Sequence, residues 1–92
     1  MLTMPLSESQ RNQIANYKIQ IESARKALNT IKENKKQKSE YYANAIKSST
    51  DANYKRSLRQ RKIYEMNGFV NQIESKKKDI ERLKGYIQSI KR

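Results

Sequence analysis

The chain has 92 residues, a formal net charge of +12, and 35% hydrophobic against 33% charged residues, which allows one small domain with a thin core and favours anionic partners. It holds no Cys and no His, so thiol chemistry, disulfides, zinc sites and imidazole acid-base catalysis are all removed. With no other catalytic or metal-binding motif, the sequence predicts no enzyme, no cofactor and no small-molecule substrate.

Two Gly, one Pro, few β-branched residues besides Ile and no alternating apolar runs leave little from which to build strands. An all-α chain is expected. Met1 to Leu6 reads as a frayed lead-in, with neither a basic leader nor an apolar core of signal-peptide length. No window approaches the roughly 18 apolar residues of a membrane span, so no membrane insertion is expected. The expected location is the cytoplasm, with leaderless export left open.

Ser7 is placed to cap the first helix, with Gln10 at the capping-box position and Glu8 at the positive end of the helix dipole. Ile14, Ile21 and Leu28 then repeat at seven, interleaved with Tyr17, Ala24 and Ile31, which makes a coiled-coil-like stripe. The stripe stops at Lys32. From there to Glu40 no side chain is apolar, yet nearly every residue is a good helix former and no Gly or Pro intervenes. Continued helix without a core face is the favoured reading over a loop.

Apolar character returns at Tyr41, Tyr42, Ala45 and Ile46. Beyond them Ser48-Ser49-Thr50-Asp51-Ala52-Asn53 collects residues whose short side chains compete with helix for backbone groups, which marks a turn. Ser48 and Asp51 have capping-box spacing, placing the start of a second helix near Ser49. A single helix running straight through is the competing reading, since neither Pro nor Gly is present. The apolar pattern supports the bend independently. Ile73, Ile80 and Ile87 repeat at seven downstream, and folding the chain back pairs Ile14 with Ile87, Ile21 with Ile80 and Leu28 with Ile73. All three pairs share one midpoint, between Thr50 and Asp51. The same folding sets Tyr54 and Leu58 against Tyr41, Tyr42, Ala45 and Ile46 as a small cluster at the tip. The adjacent tyrosines could alternatively serve as a base-stacking platform.

After the bend, Lys55, Arg56, Arg59, Arg61 and Lys62 follow with no anion among them. Residues 32–62 carry ten cations against three anions, a net +7 of the total +12. A polyanion-binding end is the sharp reading and a solvated tip the bland one, because the cations point around most of the helix. Asn67-Gly68 is a candidate break, but the stripe keeps phase from Met66 to Ile73, favouring a kink or a close helix contact at Gly68 over a third helix. Glu74 and Lys78 have i,i+4 spacing, and Lys91-Arg92 suit a helix C-terminus.

The predicted architecture is an antiparallel helical hairpin, with helix one at about 7–47, a bend at about 48–51 and helix two at about 49–91. Each helix of ~40 residues would reach ~60 Å. Helix two carries more apolar surface than helix one covers. Ile63, Met66, Phe69, Val70, Leu83 and Ile90 widen its stripe and are the candidate partner-binding residues. They predict a four-helix bundle, completed by a homodimer or by a helical protein partner.

In length and layout the hairpin resembles the small WXG-type proteins of type VII secretion and the small helical partners of LXG toxins. It departs from that pattern at the bend, where Ser49-Thr50-Asp51 stands in place of Trp-x-Gly, and at the end, where Tyr86 is followed four residues later by Ile90 rather than an acid. The resemblance implies an adaptor, chaperone or targeting partner for a toxin's helical domain. The alternative function is sequence-independent nucleic-acid binding through the basic bend half, with Lys55, Arg56, Arg59, Arg61 and Lys62 on phosphates.

Overall fold

The computed structural model describes residues 5–92; Met1 to Met4 of the expected lead-in lie outside them. The described chain forms two helices, α1 over Glu8–Ser48 and α2 over Ala52–Lys91, and no strand. They lie antiparallel in a rod of 72 × 19 × 15 Å. The protein is an all-α helical hairpin.

Helix α1 starts where its capping chemistry dictates. The Ser7 hydroxyl accepts the Gln10 amide at 3.1 Å, and the Gln10 side-chain oxygen accepts the Ser7 amide at 2.9 Å. Such a cap contributes about 1 kcal/mol by satisfying amides that have no intrahelical acceptor. The helix then continues unbroken through the charged stretch 32–40, because propensity holds it where packing does not.

The turn lies later than the Ser48-x-x-Asp51 spacing suggested, at residues 49–51. Ser48 is still helical, the Ser49 amide donates back to the Ala45 carbonyl at 3.1 Å, and α2 begins at Ala52 instead of Ser49. Asp51 is itself the N-cap: its carboxylate accepts the Asn53 amide at 2.9 Å and the Tyr54 amide at 3.4 Å. Ser49 closes the turn locally, its hydroxyl accepting the Asp51 amide at 3.3 Å. A carboxylate that serves two free amides at the positive helix end leaves no role for Ser48 as a cap.

Asn67-Gly68 does not interrupt α2, and no described residue has positive φ. Nor is Gly68 a site of close helix approach, since a Cβ built there would meet nothing within 4 Å. The Glu74–Lys78 pair does not form either. The two ion pairs among the described residues are Asp79–Arg82 at 3.0 Å and Glu81–Lys84 at 3.7 Å, and exposed pairs of this kind contribute little.

The buried residues are Ile14, Ile21, Tyr42, Leu58, Ile80 and Leu83. They fall in two groups. At the open end Ile21, Ile80 and Leu83 form a cluster against which Tyr17, Ala24, Leu28 and Ile87 pack, and the Tyr17 and Tyr86 rings approach to 5.4 Å. At the bend Tyr42 and Leu58 are buried and Ala45 and Ile46 half-buried, but Tyr41 and Tyr54 stand outside at 62% and 51% exposure. The tip cluster is therefore smaller than the pairing implied, because Tyr41 and Tyr54 project to the flanks of the seam. Between the two groups Lys35 and Ser39 occupy half-buried positions, and the seam opens into grooves.

Candidate interaction surface

The six expected partner-binding residues do not share one face. Leu83 is buried at 8% exposure in the seam cluster, so the intact hairpin does not offer it to a partner. Ile90 is half-buried near the open end. Phe69 is half-buried and opens to one side of the rod, beside Asn34, Gln37, Lys38 and Tyr41. Met66 opens to the other side, lining a groove with Ile73.

That second side carries a continuous stripe. Ile63, Met66, Val70 and Ile73 fall at i, i+3, i+7 and i+10, spacings that stack side chains on one helix face. Met66 and Ile73 are half-buried at the groove floor, whereas Ile63 and Val70 are exposed at 62% and 46%. The groove measures about 660 Å³, and Lys32, Lys35 and Lys36 of α1 and Lys77 of α2 line it. Glu40 is the carboxylate among its lining residues, with Ser39 beside it.

Sequence reasoning passed over Ile73 as a surface residue and over the four lysines, although a signal was available. Lys35 continues the seven-residue phase of Ile14, Ile21 and Leu28, and Tyr42 continues it again. Lys35 is thus a seam position by register, and a lysine there must open the seam.

The basic residues after the bend are dispersed. Arg56, Arg59 and Arg61 are exposed, while Lys55 and Lys62 are half-buried. With about 100° between successive helical residues they wrap around α2. Arg61 lies on the flank opposite the Met66 groove, in a hollow with Tyr42, Gln60, Tyr64 and Glu65. No single phosphate-sized patch collects all five. Both ion pairs lie in the other half of α2, so the bend-half cations have no carboxylate partner within ion-pair distance.

The hollow beside Arg61 holds a perturbed group. Burial pushes the Tyr42 phenol above its ordinary value, and the neighbouring Glu65 carboxylate pushes the same way. One Glu65 carboxylate oxygen is buried without a hydrogen-bond partner. The Tyr41 ring sits edge-on to Tyr42 at 5.4 Å, with the Lys38 ammonium 5.7 Å from the Tyr41 centroid.

Among the described residues no cluster of three or more His, Cys, Asp or Glu could hold a metal ion, and no helix is long and apolar enough to cross a membrane. Comparison with family models, with curated proteins and with solved structures returned no match. The functional reading therefore rests on this chain's own surface.

Proposed function

We propose that the chain is a non-enzymatic helical interaction protein whose exposed α2 flank docks a helix of another protein. The observation that carries this reading is the stripe of Ile63, Met66, Val70 and Ile73, a continuous apolar row on one flank of α2 with Ile63 and Val70 exposed. Two more helices laid along it would complete a four-helix bundle. The thin two-part seam supports the same reading, because slender hairpins gain much of their stability from such docking. An adaptor, chaperone or targeting role in type VII secretion of a toxin is what the resemblance in length and layout to small LXG-toxin partners implies. Capture from native extract after nuclease treatment tests it: a stoichiometric helical protein should be retained by the native chain and lost with Ile63→Ser/Val70→Ser. Retention by the double variant would sink this face as the interface.

A second reading has its own support. Exposed Arg56, Arg59 and Arg61 lack carboxylate partners, which suits backbone contacts to nucleic acid. Reversing all three charges should abolish duplex binding at about 50 mM salt, where each phosphate contact contributes most. Undiminished binding would refute it.

A further inference from the structure

We infer that the groove floored by Met66 and Ile73 receives an acidic amphipathic helix, its apolar side on the stripe and its carboxylates on the lysines of both walls. The inference rests on the helical-partner reading above and names the chemistry of that partner. Ile63 to Ile73 spans ten residues, about 15 Å along α2, which matches roughly three turns of a docked helix. Lys32 and Lys36 stand one turn apart on α1, and Lys77 stands one turn beyond Ile73 on α2, so cations bracket the apolar floor on both helices. Against these and the half-buried Lys35, the groove lining supplies Glu40 alone. A helix with Glu or Asp flanking its apolar stripe would neutralise this surplus. Lys35 is the strongest selector, because a partly desolvated ammonium gains most from a charge-assisted hydrogen bond.

The same features disfavour other occupants. A second copy of this chain would bring a molecule of net charge +12 against the lysine-lined groove, and like charges brought together repel. A nucleic acid would meet Ile, Met and Val where it needs stacking faces. The exposed tyrosines Tyr41 and Tyr64 lie elsewhere, Tyr41 beside Phe69 and Tyr64 beside Arg61.

The test uses the full chain and two synthetic helices of about 18 residues with one leucine stripe, flanked by Glu in one and by Gln in the other. Binding is read by fluorescence anisotropy at roughly 50 and 300 mM salt, which shortens the screening length by a factor of about 2.4. The Glu-flanked helix should bind about tenfold more tightly at low salt. That preference should vanish at high salt, and in Lys32→Glu/Lys36→Glu/Lys77→Glu, whose sites are exposed and whose helicity is checked by circular dichroism. Ile63→Ser/Val70→Ser should lose both helices. Equal affinity for the two helices, with loss in the Ser variant, overturns the acidic preference while leaving the helical-partner reading intact. Binding of neither helix overturns the inference, and native capture then decides the wider reading separately. Lysine-dependent binding of a short DNA duplex that displaces the Glu-flanked helix, or a dimer mass that the Ser variant abolishes, assigns the groove to another occupant and also overturns it.

Discussion

Tyr42 sits 5% exposed at the bend end of the seam, beside the Glu65 carboxylate. Burial and that negative charge both disfavour the tyrosinate, so the folded state holds the phenolic proton more tightly than the unfolded chain. The sign follows from linkage: the folded pKa is raised, so the associated stability is fully present below about pH 10, the ordinary phenol value, and is lost as pH rises through the folded pKa. Tyrosinate absorbance should therefore contain a late component that Tyr42→Phe removes. The alkaline loss of stability measured by circular dichroism should also be shallower in that variant. Identical tyrosinate titrations in the two proteins would refute the assignment. Glu65, the source of the second push, carries no hint of this role in the sequence, because its position next to Tyr42 depends on how the two helices are rotated about their axes.

That rotation marks how much the sequence revealed at the level of elements. The hairpin and its midpoint were legible because three Ile and Leu pairs share one centre, and two helices that bury matching stripes have few other ways to meet. The Ser7 cap was legible because Ser7 and Gln10 stand at capping-box spacing, whereas the nearby Ser9 has Asn12 three residues on. The start of α2 was not, since Ser48, Ser49 and Asp51 can each cap, and the choice depends on which carbonyls the first helix has already used. The six candidate partner residues were scattered for a related reason. Counting apolar residues against opposite numbers does not separate Leu83, three after Ile80 and inside the seam, from Val70, seven after Ile63 and on the flank. Gly68 shows the same limit. The Asn-Gly pair suggested a kink or a close helix contact in preference to a break; the helix does run through, but with open space around the missing Cβ. Its cost there is conformational entropy alone. Gly68→Ala should stabilise the hairpin by about 0.5–1 kcal/mol, as for any unstrained helix interior. A lower urea midpoint for the variant would mean that the flexibility of Gly68 is used by the fold.

For the whole molecule the decisive quantity is the imbalance of 21 basic against 9 acidic residues. The two ion pairs of the described chain, Asp79–Arg82 and Glu81–Lys84, lie toward the open end, where the main apolar cluster also sits. The bend half has the larger charge surplus and the smaller core, with Lys35 set in the seam itself. Like-charge repulsion therefore acts where packing is weakest, and it acts across the groove that separates Lys32, Lys35 and Lys36 from Lys77. Screening should relieve it. Raising salt from about 20 to about 300 mM shortens the Debye length from roughly 20 Å to below 10 Å. If this relieves about 1 kcal/mol of repulsion, the melting temperature should rise by about 4–8 °C, the conversion for a domain of this size. An acidic helix seated in the groove would relieve the same repulsion at low salt, so its stabilising effect should shrink as salt is added. A melting temperature that falls with salt would instead mean that attraction between opposite charges dominates the free hairpin, and would remove the electrostatic reason for an acidic partner.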